Sequence, residues 1–224
     1  MKRGFDIALA LILLVPGLPL MAALWALVAL RDGRPVIYAS ERMRQVGRPF
    51  RLWKFRTMAP DPRGVERGVS GGDKAGRITP LGRRLRRLRL DELPQLFNVL
   101  RGDMSFVGPR PPTPRYVSMF PALYGEVLTS KPGITGLATI LFHSHEEMLL
   151  RGTVTAAETE AVYVARCIPR KAALDLLYQE RWSPGLDLYI LYLTLNRLVP
   201  LPGRRAARLR AKAARVEGWK IPRI

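Results

Sequence analysis

Two adjacent carboxylates, Asp91 and Glu92, are the side chains in this sequence best suited to chemistry, and Pro94 lies in the same turn. These residue types are typical of a helix start, where Asp caps the first turn, Glu suits it and Pro is tolerated. The unpaired backbone amides of a helix start also bind phosphate and keep a carboxylate ionised. The pair therefore fits either a helix cap or a nucleophile towards phosphorus, and by itself leaves both interpretations open.

Basic residues around the pair favour the second interpretation. Arg86 lies on the segment just before it, and Arg110 follows in a stiff run rich in proline, residues 108–112. Transfer at a diphosphate requires cations that neutralise developing negative charge, usually Arg or Lys together with a magnesium ion held by one or two carboxylates. We predict that Asp91 and Glu92 are catalytic and that four basic residues bind substrate and phosphate: Lys54, Arg56, Arg86 and Arg110.

Two predicted helices have to position these residues. Thr79 followed by Pro80 is a good helix start, and leucines then recur at helical spacing among arginines, which predicts a basic amphipathic helix. A second helix is predicted from Asp91 to about Leu100, ended by Gly102. A helix body is also predicted after Ser183-Pro184, over residues 186–199, as an interfacial or a core helix.

Two short strands are predicted as a hairpin. Residues 35–39 and 50–58 are rich in β-branched and aromatic residues, and residues 47–49 between them form a plausible turn. Residues 60–77, rich in glycine and proline, are predicted to be a loop that orders over a ligand.

The N-terminal run from Ile7 to Leu30 contains no charged side chain. At about 1.5 Å per residue a helix of this length exceeds the hydrocarbon core of about 30 Å. Pro16 and Pro19 predict a bend or break within it, and basic residues on both sides favour a re-entrant hairpin whose ends share the cytoplasmic face. A kinked single span remains the alternative, whereas the signals for a cleaved signal peptide are poor. Lys2, Arg3 and Asp6 share one helix face and are predicted to neutralise one another at the membrane interface.

The chain is strongly basic, with 37 Lys and Arg against 18 Asp and Glu and a formal charge of +19. Such a charge favours anionic partners, namely nucleic acid, phosphorylated substrates or acidic lipid. Nucleic acid fits poorly, because aromatic residues make up only 8%, no RNA-binding signature or zinc-ligand spacing is present, and the apolar run is unexplained. The lone Cys167 excludes an internal disulfide and is interpreted as an apolar filler.

The run from Asp91 to Pro111, D-E-L-P-Q-L-F-N-V-L-R-G-D-M-S-F-V-G-P-R-P, closely resembles the signature of the bacterial monotopic phosphoglycosyl transferases, or bacterial sugar transferases. K-R-G-F-D, K-F-R-T-M and K-P-G-I-T-G-L-A occur in the family's order, at residues 2–6, 54–58 and 131–138. The resemblance implies that Asp91 takes a phosphosugar from a UDP-sugar, releases UMP and passes the phosphosugar to undecaprenyl phosphate. It also implies that Glu92 helps to hold Mg²⁺, that Arg86 and Arg110 hold phosphate groups, and that the enzyme lies on the cytoplasmic face of the bacterial inner membrane.

Two segments depart from the family pattern. The Ser-Pro pair at which the family's re-entrant helix breaks is Leu18-Pro19 here, and residues 139–147 replace the usual segment after Ala138. His143 and His145 in the second segment, with Glu146 and Glu147, suggest a transition-metal site if they lie on a strand, but nothing distant completes a ligand set.

These observations predict an α+β fold with a mainly helical catalytic domain, a small β-hairpin, a re-entrant helix-break-helix and interfacial amphipathic helices. The predicted domains are a membrane helix at 1–34, the catalytic domain at 35–200 and a basic tail at 201–224 that could lie on anionic lipid. The expected function is the first membrane step of glycoconjugate synthesis. A membrane-anchored basic scaffold without catalysis is the alternative, but it gives no reason for Asp91 and Glu92 beside an arginine cluster.

Overall fold

The computed structural model describes residues 2–60 and 76–198. Most of the predicted ligand-covering loop and the basic tail therefore lie outside the described residues. The described part is mostly helical with a small antiparallel sheet, which confirms the α+β class in outline. Its helices are α1 (Lys2–Arg31), α2 (Pro80–Arg87), α3 (Gln95–Arg101), α4 (Pro114–Met119), α5 (Pro121–Val127), α6 (Leu137–Arg151), α7 (Ala156–Val162), α8 (Ile168–Glu180) and α9 (Pro184–Leu198), and its strands are β1 (Ile37–Gln45), β2 (Arg48–Phe55), β3 (Ser105–Val107) and β4 (Gly133–Thr135).

The predicted hairpin is present, but β1 continues six residues beyond its predicted end at Ala39. Strands β1 and β2 are antiparallel with Tyr38 opposite Lys54 and Arg42 opposite Phe50, and Gly47 turns the chain with a φ of 74°. The second half of β1 is polar, so it carries no β-branched signal, and its pairing with β2 decides its structure. A second sheet, the parallel pair of β3 and β4, was not predicted.

Helix α1 runs without interruption from Lys2 to Arg31, with Pro16 and Pro19 inside it. The predicted break in secondary structure is therefore wrong, while a bend at the two prolines and the re-entrant path stay predictions. In an apolar helix that packs on other elements, neighbouring groups can satisfy the carbonyls that proline leaves free. Among the described helices, α1 is the one long and apolar enough to cross a membrane by length and composition.

One face of α1 packs on the rest of the protein along its whole length. Its buried positions recur every three or four residues, from Asp6 to Val28, and join a core with β2, α2 and α3. The opposite face exposes large apolar side chains along the same length: Phe5, Leu11, Ile12, Leu13, Val15, Leu18, Leu20, Trp25, Leu27 and Leu30. An apolar surface this large and continuous marks a membrane or protein contact.

The N-terminal end of α1 is held by polar contacts with β3, α3 and α9. The Asp6 carboxylate is 2% exposed and accepts hydrogen bonds from the Ser105 hydroxyl at 3.0 Å and the Phe106 amide at 3.1 Å. Lys2 donates to Asp187 at 2.5 Å, and Arg3 donates to backbone carbonyls near the end of α3. The prediction that Lys2, Arg3 and Asp6 neutralise one another is therefore wrong, because each has a partner distant in sequence.

The C-terminal end of α1 is attached to the same body. The Asp32 carboxylate accepts a hydrogen bond from the Thr79 hydroxyl at 2.7 Å. Arg56, at the end of β2, donates to the carbonyls of Asp32, Gly33 and Arg34, at 2.7 Å for Gly33 and 3.2 Å for Arg34. Both ends of the long apolar helix thus meet one folded unit.

Candidate active site

Asp91 lies in a one-turn 3-10 helix, Leu90–Glu92, and α3 begins only at Gln95. The predicted helix start at Asp91 is thus four residues early, because Arg89 adopts a left-handed φ of 54° and the turn closes before the α-helix begins. The residue that caps α3 is Pro94, so Asp91 is not the helix cap that its type suggested. The predicted end at Gly102 is confirmed, with the glycine at a φ of 85°.

The Asp91 carboxyl is buried, with 7% of the residue exposed, and within the described part of the chain it accepts no hydrogen bond from another residue. Burial and then the charge of Glu92 raise its pKa above the ordinary value, while Lys54, Arg86 and Arg89 oppose the rise. The largest effect on the pKa of Asp91 is therefore burial, which disfavours the ionised carboxylate. The Asp91 oxygens therefore have no protein hydrogen-bond donor in the described part of the chain and are surrounded by the cations Lys54, Arg86 and Arg89.

Glu92 is instead paired with arginines. One of its carboxylate oxygens contacts the Arg89 guanidinium, and the other lies 3.7 Å from Nη1 of Arg110. Arg89 also donates to the Ile134 carbonyl at 3.0 Å, which ties the 3-10 turn to β4. Arg89 was not among the predicted site residues, since its role depends on a left-handed backbone that the sequence does not signal.

The β1–β2 hairpin supplies two basic residues to the site, Arg42 from β1 and Lys54 from β2. The Lys54 ammonium lies 5.1 Å from the centre of the Tyr38 ring. Burial, followed by the charges of Arg42, Arg110 and Arg86, lowers the pKa of Lys54 to about 8, and Asp91 opposes this. Arg42 was missed because β1 was predicted to end at Ala39. Once β1 continues, the alternation of a strand puts Arg42 on the face of Tyr38.

Arg86 reaches the site from α2. Its Nε donates to the Thr57 hydroxyl at 2.8 Å. Burial lowers the pKa of Arg86 although Asp91 and Glu92, which lie close by, raise it. The helix start at Thr79 is confirmed, since the Thr79 hydroxyl accepts from the Gly82 amide at 2.8 Å. Gly82 is required here, because a Cβ would lie 2.1 Å from the Thr57 carbonyl oxygen.

Arg56 is the predicted phosphate-binding residue that the structure does not bring to Asp91. It is 8% exposed, and its guanidinium is occupied by the three carbonyls after α1. Strand β2 ends at Phe55, so Arg56 lies just outside it and the alternation that would put it on the face of Lys54 no longer applies. Arg56 therefore attaches α1 instead of lining the site.

A small cleft lies beside Arg110, the ion-pair partner of Glu92. Arg42 and Arg110 line it with Gln95, and the Arg110 side chain keeps 49% of its surface exposed. The segment that follows Arg110 is attached to β1. The Pro111 carbonyl oxygen lies 3.5 Å from Nη1 of Arg42, and the Pro112 carbonyl accepts a hydrogen bond from the Met43 amide. The cleft therefore offers two guanidinium groups to an anion, and Arg110 connects it to Glu92.

The carboxylates suit magnesium better than a transition metal. Magnesium is usually bound by one or two carboxylates together with substrate phosphates, and Asp91 and Glu92 supply two adjacent ones. The described residues contain no cluster of three His, Cys, Asp or Glu able to hold an ion. Residues 139–147 form part of α6, not a strand; His143 lies 3.6 Å from Glu147 while His145 meets Arg170, so the two histidines have different partners.

The family model described as "Bacterial sugar transferase" matches residues 1–200. This chain belongs to that family. The match includes α1, the carboxylate pair and every residue placed above in the site.

Named relatives are similar in sequence over most of this chain. EpsL of Bacillus subtilis (strain 168), an uncharacterised sugar transferase, is 36% identical over 206 residues, which cover 91% of this chain and 89% of EpsL. An undecaprenyl-phosphate glucose phosphotransferase of Komagataeibacter xylinus is 35% identical over 202 residues, 88% of this chain and 35% of the relative. A UDP-glucose:undecaprenyl-phosphate glucose-1-phosphate transferase of Klebsiella pneumoniae is 35% identical over 197 residues, 87% of this chain and 39% of the relative. The chain thus spans little more than a third of these two phosphotransferases.

Proposed function

We propose that this bacterial sugar transferase moves a sugar 1-phosphate from a UDP-sugar to undecaprenyl phosphate through a covalent phosphosugar on Asp91. The observation that carries the proposal is a buried carboxylate with open oxygens, faced by Lys54, Arg86 and Arg89. Most buried side-chain polar atoms are hydrogen-bonded, so a buried carboxylate without such a partner calls for an explanation. The names of the Komagataeibacter and Klebsiella relatives support undecaprenyl phosphate as the acceptor, and the Klebsiella name supports a UDP-sugar donor.

The chemistry has two displacements at one phosphorus. An Asp91 oxygen attacks the phosphorus that carries the sugar, and the bond to the bridging oxygen breaks with its electrons leaving on UMP. A phosphate oxygen of undecaprenyl phosphate then attacks the same phosphorus, and the bond to Asp91 breaks to regenerate the carboxylate. Arg42, Arg86, Arg110 and Lys54 neutralise the charge that develops on the phosphate oxygens.

Magnesium fits beside this pair. Glu92, with Asp91 next to it, would hold the ion, and a bound ion would supply further neutralisation of the diphosphate. Arg89 and Arg110 orient Glu92 through their ion pairs with it. The burial of Asp91 limits the access of water to its carboxylate.

We further propose that α1 lies in one leaflet of the bacterial inner membrane and that the site faces the cytoplasm. The support is that both ends of α1 contact one folded body while its outer face is apolar along its length. The exposed arginines of α2, Arg83, Arg84 and Arg87, would then meet anionic headgroups at roughly 1 kcal/mol each. A single span would have to separate ends that share one body.

The activity is tested by incubating the purified protein in detergent with magnesium, undecaprenyl phosphate and a panel of UDP-sugars. We expect UMP release that requires the lipid for turnover, and a trapped phosphosugar adduct that Asp91→Asn abolishes. A panel that yields no UMP would refute the transferase, and an adduct retained in Asp91→Asn would place the nucleophile elsewhere.

The topology is tested with single cysteines at the exposed positions Gly4 and Arg48, in a chain whose buried Cys167 has been replaced. We expect a membrane-impermeant thiol reagent to label both from the same face of sealed vesicles. Labelling from opposite faces would establish a single span.

A further inference from the structure

Gln95, the first residue of α3, carries a buried amide that the described chain leaves unpaired. The residue is 4% exposed, and within residues 2–60 and 76–198 its side-chain amide makes no hydrogen bond. The other side-chain amide of α3 differs, since Asn98 donates to the Arg51 carbonyl at 2.8 Å and accepts from the Trp53 amide at 3.1 Å. Most buried side-chain polar atoms are hydrogen-bonded, so the Gln95 amide calls for a partner from outside these residues.

Gln95 lines the same cleft as Arg42 and Arg110. The described polar groups that are sealed from solvent and unpaired belong to other side chains, so the Gln95 amide borders the space of the cleft. A ligand in the cleft therefore meets two guanidinium groups and one neutral amide.

The cleft lies next to the carboxylate pair. Nη1 of Arg110 is 3.7 Å from a Glu92 oxygen. The two residues that join the 3-10 turn to α3 have right-handed helical dihedral angles, so Gln95 lies about one helical turn, or about 6 Å, beyond Asp91. A substrate whose phosphorus is at Asp91 therefore brings the groups bonded to that phosphorus within reach of Gln95.

Guanidinium and amide groups recognise different parts of a donor. A guanidinium has only hydrogen-bond donors and suits phosphate oxygens, which only accept. A glutamine amide has an acceptor oxygen and a donor NH₂ group, which together suit a sugar hydroxyl, because a hydroxyl also donates and accepts. Against a phosphate the Gln95 oxygen would stay unpaired.

The direction of the proposed reaction decides which hydroxyl-bearing group lies here. The attacking and leaving oxygens lie roughly in line on opposite sides of the phosphorus, so UMP departs on the side away from Asp91. The sugar stays bonded to the phosphorus that Asp91 attacks. The sugar, and not the ribose or the uracil, is therefore nearest to a residue one turn from Asp91.

Resting on the proposed function, we infer that the Gln95 amide forms a hydrogen bond with a hydroxyl of the donor sugar. Gln95 is thus a specificity-determining residue, and Arg42 and Arg110 bind the phosphates beside it.

The test compares the wild type, Gln95→Met and Gln45→Met in detergent with magnesium and undecaprenyl phosphate. The donor is whichever of UDP-glucose, UDP-galactose and UDP-N-acetylgalactosamine turns over fastest, together with analogues of it that each lack one sugar hydroxyl. Methionine is as long and unbranched as glutamine but lacks its amide. Gln45, exposed at the end of β1, is the matched control.

We expect Gln95→Met to lower kcat/KM for the full donor about five- to tenfold, the effect of one lost hydrogen bond, and Gln45→Met to leave it unchanged. One deoxy analogue should lose the same factor with the wild type and lose nothing more with Gln95→Met. UDP carries the nucleoside and both phosphates but no sugar, so its inhibition constant should be the same for the wild type and Gln95→Met. The melting temperature of Gln95→Met should not fall, because no hydrogen bond within the described chain is lost.

Weaker inhibition of Gln95→Met by UDP would assign the amide to a phosphate or the nucleoside and overturn the inference. A wild type that uses every deoxy analogue as well as the full donor would also overturn it, and this result does not depend on how the variant folds. A lower melting temperature with unchanged kcat/KM would make Gln95 a structural residue instead. Wild-type turnover tests the proposed function separately: if no donor yields UMP that function fails, whereas if one does only the role of Gln95 is at issue.

Discussion

Replacement of Lys54 by methionine should raise the stability of the protein while lowering its activity. The pKa of Lys54 falls from an ordinary 10.5 to about 8, so the unfolded chain holds the lysine proton more tightly than the folded protein does. The charged lysine therefore destabilises the fold at every pH below about 8, and this cost disappears as the pH rises from 8 towards 10.5.

The magnitude follows from the two pKa values. The difference between 10.5 and about 8, at about 1.4 kcal/mol per pKa unit, gives an upper limit of about 3 kcal/mol for Lys54→Met at pH 7. At about 2–4 °C per kcal/mol for a chain of this size, the melting temperature should rise by several degrees. At pH 9.5, one unit below 10.5, the gain should shrink to about 1.4 kcal/mol.

The stability gain of Lys54→Met is measured by thermal unfolding of the wild type and the variant in the same detergent at pH 7 and pH 9.5. The kcat/KM for the UDP-sugar is the second readout. Lys171→Met is the control of opposite sign, because burial lowers the pKa of Lys171 but Tyr163 and Glu146 raise it more, so its charge stabilises the fold. A Lys54→Met protein less stable than wild type at pH 7, or a gain that does not change with pH, would refute the reasoning. A kcat/KM that is unchanged would remove Lys54 from the site.

Three further predictions concern other parts of the site. Asp91→Asn should abolish the phosphosugar adduct without lowering the melting temperature, because burial raises the pKa of Asp91 and its ionised form costs stability at neutral pH; a lower melting temperature would contradict this. Gly82→Ala, whose Cβ would meet the Thr57 carbonyl oxygen at 2.1 Å, should shift α2 and lower kcat by about tenfold or more, while Gly125→Ala, in open space, should leave kcat unchanged. Arg56→Met should lower the unfolding free energy by about 2–4 kcal/mol and leave the KM for the UDP-sugar unchanged, since its guanidinium binds backbone carbonyls; a raised KM at unchanged stability would restore Arg56 as a phosphate ligand.

The basic residues proposed to bind the substrate also repel one another in the empty site. The pKa values of Lys54, Arg42 and Arg86 are lowered, first by burial and also by the charge of Arg110, and Arg42 and Arg86 add to the effect on Lys54. The diphosphate of the proposed donor would relieve this repulsion on binding, so part of its binding free energy would be stored as instability of the empty protein. The same logic explains why a stabilising substitution at Lys54 should be an inactivating one.

Local signals in the sequence were sufficient for several elements. Thr79-Pro80 starts α2, Gly102 ends α3 and Ser183-Pro184 precedes α9 as predicted, because caps and prolines act through bonds to neighbouring residues. The metal-site interpretation required residues 139–147 to be a strand, but they are helical. Two alternating histidines are too weak a pattern to distinguish a strand from a helix.

What the sequence alone determined is the chemistry available: a carboxylate pair, basic residues before and after it, and an apolar run beside them. Only the tertiary structure decided which groups meet. The structure adds Arg42 and Arg89 to the predicted site and places Arg56 at the end of α1 instead. Asp91, predicted as a possible helix cap, is a buried carboxyl with a raised pKa. The physical reason is that capping and helical periodicity are local, whereas the burial of a carboxylate and the charges around it depend on residues distant in sequence, as Lys54 is from Asp91.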